Sequence, residues 1–205
     1  MSAEQDLRQI ASEVVACTKC KLHLSRKNAV PGEGPTHAEI MFIGEGPGFH
    51  ENEQGRPFVG AAGRFLEELL AKIGLTREQV FICNVIKCRP PGNRDPLPEE
   101  TEACSSYLER QIQAVNPSVV VTLGRFSMAR YLPSARISAV HGQARTVNGR
   151  LVVPMFHPAA ALHQPSLRRS IEEDFARLPD IIRRAQQIRP PEEEPPAQPQ
   201  QLNLL

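Results

Sequence analysis

Four short apolar runs punctuate this chain, and each stops at a polar or glycine-bearing loop. They are residues 39–43 (EIMFI) before Gly-Glu-Gly-Pro-Gly, residues 80–83 (VFIC) before Asn84, residues 118–123 (SVVVTL) before Gly124, and residues 151–155 (LVVPM) before Phe156-His157-Pro158. Runs this short and this continuous suit strands buried on both faces. Between them lie helical patterns at residues 61–73, 98 onward and 124–132, with one before the first strand at residues 7–15 and one after the last at 167–188. Phe65, Leu66, Leu69, Leu70 and Ile73 make one apolar helix face, and Pro98 with Glu99 and Glu100 reads as a helix start. Asn148-Gly149 predicts a tight hairpin turn within residues 146–153. Alternating strands and helices predict a three-layer α/β/α sandwich around a mostly parallel sheet. In such sheets ligands bind at the carboxyl ends of the strands, so the four terminal loops should share one rim.

The second constraint is a set of cysteines. Cys17 and Cys20 form a C-x-x-C pair, and Cys88 and Cys104 lie far downstream. Four thiolates suit an iron–sulfur cluster or a structural zinc. No secretory signal pattern precedes them, so a reducing cytoplasm and metal binding are expected rather than disulfides. Cys83, on a predicted strand, reads as a small buried side chain.

One domain is expected over residues 1–188, followed by a tail at 189–205 rich in Pro, Glu and Gln. That tail is too polar to offset its ordering entropy and is expected to be disordered. No apolar run is long enough to span a bilayer, which predicts a protein without a membrane partner. Net charge is only +1, and three of the acids fall in the tail. The body is thus slightly basic, which agrees with a nucleic-acid partner without demanding one.

Taken together, four loops and the cysteine set resemble the family 4 uracil-DNA glycosylases. The matching pieces are Gly44-Glu45-Gly46-Pro47-Gly48, Gly55-Arg56-Pro57-Phe58-Val59-Gly60, Asn84 with Lys87-Cys88-Arg89-Pro90-Pro91, and Met155-Phe156-His157-Pro158. The resemblance covers residues 17–169. It implies the α/β/α fold of that superfamily, a [4Fe–4S] cluster on Cys17, Cys20, Cys88 and Cys104, a monomer, and removal of uracil from DNA.

Roles follow from the resemblance and from the chemistry of the side chains. His157 would donate to uracil O2 as the departing base becomes an anion. The Asn84 carboxamide would read the N3–H and O4 edge, where cytosine presents the reverse pattern. Phe58 would stack on the base. Glu45, Gly46 and Pro47 would bring main chain close to it. Related enzymes carry an Asp where this chain has Gly46, which leaves the water activator open; Glu51 is the candidate, either for that role or for crowding a thymine methyl. Lys87, Arg89, Arg94, Arg168 and Arg169 are expected to contact phosphates, and Leu162 to wedge into the duplex. The last five residues, Gln201 to Leu205, look like the short peptide by which bacterial repair proteins dock onto the sliding clamp. Each residue also has a plainer reading: a turn-capping His157, a turn-forming Asn84, a core Phe58, a solvated Glu51. Two rival functions remain, an iron–sulfur electron carrier and a metal-stapled nucleic-acid-binding module without catalysis.

Overall fold

The computed structural model describes residues 2–188; the tail and its Gln201–Leu205 clamp expectation lie outside them. Five strands form one sheet in the order β2-β1-β3-β5-β4. They are β1 (Ile40–Gly44), β2 (Phe81–Asn84), β3 (Val119–Leu123), β4 (Arg145–Val147) and β5 (Arg150–Met155). All neighbours run parallel except the edge strand β4, which pairs with β5 as a hairpin. Asn148 and Gly149 both hold positive φ at that hairpin, as a two-residue turn of this kind requires.

Alternate residues of each strand feed two separate cores. Phe42, Val119, Val121, Val153 and Met155 face one side, packed against helices α3 (Ala61–Lys72), α7 (Pro158–His163), α8 (Leu167–Ala176) and α9 (Leu178–Ile188). Met41, Ile43, Val120 and Val152 face the other, packed against α1 (Ala3–Ala16) and α4 (Pro98–Val115). Both faces are therefore covered, and every residue of β1, β2 and β3 is buried. This is the expected three-layer arrangement.

Helix boundaries follow local chemistry. Ser2 and Gln5 form a reciprocal capping box at the start of α1. Pro98 occupies the first turn of α4, and the Glu100 carboxylate accepts the Leu97 N–H at 2.9 Å. Two expectations need correction. Residues 167–188 are not one helix: the chain breaks between Ala176 and Leu178, because Pro179 has no N–H for the ladder to use. Residues 124–132 yield only the short α5 (Arg125–Ala129), with α6 (Ile137–Val140) further on. The helix α2 (Phe49–Gln54) was not expected at all.

The strand order reverses at β1, which has β2 on one side and β3 on the other. The crossover from β1 to β2 and the one from β2 back to β3 run in opposite directions across the sheet, which opens a crevice beyond the carboxyl end of β1.

Candidate active site

A cleft of about 500 Å³ opens at that end of the sheet. Its walls include Glu45, Gly46, Pro47, Glu51, Phe58, Asn84 and His157. Six of these come from the loops named above. Three of the four terminal loops line the cleft, while Gly124 of the fourth packs against His157, where an added Cβ would stand 3.3 Å from the His157 Cβ.

His157 sits between β5 and α7 and acts as the N-cap of α7. Its Nδ1 accepts the Ala159 backbone N–H at 3.1 Å. That bond requires an unprotonated Nδ1, so the neutral ring carries its hydrogen on Nε2. Burial pushes the imidazole pKa down to about 4, against a weaker opposing pull from Glu51. At neutral pH the ring is thus an uncharged donor through Nε2. On one face it meets Phe58, with centroids 5.4 Å apart and planes at 23°.

Phe58 is held in an uncommon backbone conformation, with φ +53. Two neighbours explain how. Arg77 donates from Nη1 to the Phe58 carbonyl at 2.9 Å and from Nη2 to the Pro57 carbonyl, while its Nε pairs with Glu33 at 2.7 Å. Gly63 lets the same carbonyl rest on α3, since a Cβ at Gly63 would lie 1.8 Å from the Phe58 oxygen.

Asn84 ends β2 opposite Gly44 and is buried. The side-chain oxygen Oδ1 is enclosed without a hydrogen-bond partner among the described residues. Leaving such an atom unpaired costs about 1–3 kcal/mol, and an unpaired group of this kind calls for a reason. Gly44 is obligatory here for steric reasons. A Cβ on it would stand 2.3 Å from Asn84 Oδ1 and 2.8 Å from the Phe58 ring.

Glu51 reaches back to cap its own helix. Oε2 accepts the Gly48 N–H at 3.0 Å, and Oε1 accepts both Val59 and Gly60 N–H groups at 2.9 Å. One carboxylate thereby ties the first glycine loop to the Phe58 loop. Glu45 is different, because its carboxyl pKa is raised first by burial and then by the nearby charge of Asp95.

The basic residues divide. Lys87 does not face phosphates: it is buried, and donates to the Asn84 carbonyl at 2.8 Å and Gln111 Oε1 at 2.6 Å. Arg94 is clamped by both oxygens of Glu100, at 2.6 and 2.9 Å. Arg89 lies over the exposed Phe49 ring and bonds Asn93 Oδ1, a cleft residue, at 2.7 Å. Arg168 pairs with Glu68 and Glu172 and covers Phe65, so it belongs to the surface shared by α3 and α8. Arg169 pairs with Glu173 on the same helix. Leu162 is 47% exposed on α7, between the cleft residues Ala160 and His163.

Behind the Asn84 loop, Cys17, Cys20, Cys88 and Cys104 line one pocket, and Cys83 does not join them. Among the described residues no three His, Cys, Asp or Glu side chains are drawn in around a single ion. The donor set nevertheless fits a sulfur-ligated group: the walls offer four thiols beside Tyr107, and Arg26 donates to Cys88 Sγ at 3.1 Å. Burial raises the Cys104 thiol pKa to about 11, so the pocket disfavours thiolates until a cation offsets them.

The comparisons with known proteins agree with this geometry. The family described as the Uracil DNA glycosylase superfamily matches residues 31–178. A type-4 uracil-DNA glycosylase of Sulfurisphaera tokodaii is 50% identical over 186 residues, covering 85% of this chain and 84% of the relative. Type-4 enzymes of Archaeoglobus fulgidus and Thermotoga maritima are 47% and 44% identical, covering 89% and 90% of this chain and 96% and 99% of their own. The chain belongs to the uracil-DNA glycosylase superfamily, with the type-4 enzymes among its relatives.

Proposed function

We propose that this protein hydrolyses the N-glycosidic bond of deoxyuridine in DNA, leaving an abasic site. The supporting observation is the convergence of an Nε2–H donor, an unpaired buried carboxamide oxygen and an aromatic face on one cleft. An electron carrier has no need of such a cleft, and a binding module has no need of an oriented donor buried in it.

In the reaction the bond from C1′ to N1 breaks, and its electron pair leaves with the base. Water supplies the new bond to C1′. His157 Nε2–H meets the negative charge growing on O2; one pre-oriented donor contributes about 3–4 kcal/mol. Asn84 supplies Oδ1 as an acceptor for N3–H, and the NH2 of the same carboxamide donates to O4, which selects O4 over an exocyclic amine. Phe58 offers its face to the ring. The nucleotide must leave the duplex to arrive here, with Leu162 filling the gap and Arg89 near the backbone.

Glu51 serves this reading mainly as a positioning residue, because three main-chain donors already claim its oxygens. The Glu45 carboxylate has no such partners among the described residues and a raised pKa, which suits it to take a proton from water.

Cys17, Cys20, Cys88 and Cys104 would hold a [4Fe–4S] cluster. When bound, it supplies a cross-link between the segment after α1, the Asn84 loop and α4, since glycosidic hydrolysis moves no electrons.

A duplex carrying one uracil tests the proposal. Wild-type protein should render that strand alkali-labile at the uracil, and His157→Ala should slow this by about a hundredfold or more. An uncleaved strand with folded wild-type protein rejects it.

A further inference from the structure

Lys87 is an anomaly among the basic residues. It is 1% exposed, and no carboxylate pairs with it among the described residues. Buried ammonium groups without a partner acid are costly, so its surroundings must repay that cost in other ways. Its ammonium donates to two oxygens, Asn84 O at 2.8 Å and Gln111 Oε1 at 2.6 Å. Gln111 in turn is fixed, donating its Nε2 to Pro31 O at 2.8 Å. The stem of Lys87 also lines the cysteine pocket.

We propose that Lys87 is a positioning residue that ties the uracil-reading Asn84 to α4 and to the cysteine pocket. This rests on the glycosylase reading above. The logic is geometric. The Asn84 side chain makes no hydrogen bond of its own among the described residues, so its aim depends on its backbone. β-pairing fixes that backbone on the Gly44 side. Beyond the strand, the Asn84 carbonyl has Lys87 as its partner. Val85 and Ile86 continue the loop by bonding to Gly44 O at 3.0 Å and Glu45 O at 3.1 Å, and Glu45 and Ile86 both line the same cleft. Lys87 then closes the turn from behind. Lys87 also lines the cysteine pocket, so whatever occupies that pocket and the orientation of Asn84 are linked through one residue.

The test is a double-mutant cycle between Lys87→Met and Asn84→Ala, read by single-turnover uracil release on a saturating duplex. Lys87→Met alone should slow release about tenfold or more, as expected when a charged hydrogen bond to the positioning carbonyl is lost. In the Asn84→Ala background the same change should cost little, because there is no longer a carboxamide to aim. Amide hydrogen exchange at residues 84–87 should rise in Lys87→Met while exchange in β3 and β5 stays unchanged. Visible absorbance of the purified variant reports whether the cysteine pocket still holds its group. Equal losses in both backgrounds, or unchanged exchange at 84–87, overturn the assignment. Should Lys87→Met not accumulate as folded protein, Gln111→Ala repeats the cycle from the other end of the contact, and additivity there overturns it equally. A wild-type protein that releases no uracil rejects the glycosylase reading instead, so the two failures are distinct.

Discussion

The ring of Phe58 lies against the ring of His157, 5.4 Å between centroids and 23° from parallel. The contact removes water from one face of the imidazole while Ala159 occupies Nδ1. Donor tautomer and lowered pKa thus come from the same small arrangement. His157 should titrate near pH 4, followed by the imidazole resonances in NMR, with nitrogen shifts of the Nε2–H form at neutral pH. Phe58→Ala readmits water and should move that midpoint up toward the ordinary value. A wild-type midpoint near 6.5 contradicts the picture.

The same depressed pKa has a consequence for stability. The unfolded chain binds a proton at His157 as pH falls below about 6.5, whereas the folded chain resists until about 4. Stability should therefore decline across that interval and level off below it, as far as this group is concerned. Urea titrations at stepped pH measure the slope, and His157→Gln should flatten it.

Glu51 separates structure from chemistry. A glutamine keeps one oxygen for Val59 and Gly60 but turns an NH2 toward the Gly48 N–H. Glu51→Gln should lower stability by about 1–3 kcal/mol, and activity should fall with it. Full stability with abolished uracil release would instead make Glu51 a direct participant in the chemistry.

Gly44 and Asn84 make a matched pair of tests. Gly44→Ala drives a methyl into Asn84 Oδ1 and the Phe58 ring, so uracil release should collapse even where folded protein is recovered. Asn84→Ala should unfold at no lower a urea concentration than wild type, since it deletes an unpaired buried oxygen, yet lose about a hundredfold or more in uracil release.

How much of this was legible beforehand depends on range. The sheet was, because IMFI, VVV and LVV are unbroken apolar runs, and each strand ends at a loop that cannot continue it. The rim loops followed from that ordering. Helix α2 was hidden because FHENEQ has a single large apolar residue; Glu51 three places after Gly48 and Gly55 at φ +72 were its only local marks. Pro179 breaks the 167–188 pattern although the apolar periodicity runs on through it. What could not be read was partnership across distance. Lys87 looks like a surface cation until Gln111 is folded beside it, and Arg77 gives no sign in sequence that it braces Phe58 together with Glu33.

The cysteines allow a prediction that sorts ligands from bystander. Cys17, Cys20, Cys88 and Cys104 share a pocket, while Cys83 is buried in the core beside Lys87. Cys104→Ala should lose iron and visible absorbance and should loosen α4 from the segment after α1, because a sulfur-ligated group would join them there. Cys83→Ala should keep both iron and colour. It removes a buried neighbour of Lys87, so its cost should appear as a slower release of uracil rather than as lost metal. Iron analysis beside single-turnover rates distinguishes the two. Iron lost from Cys83→Ala and kept in Cys104→Ala would exchange their places and move the cross-link away from α4.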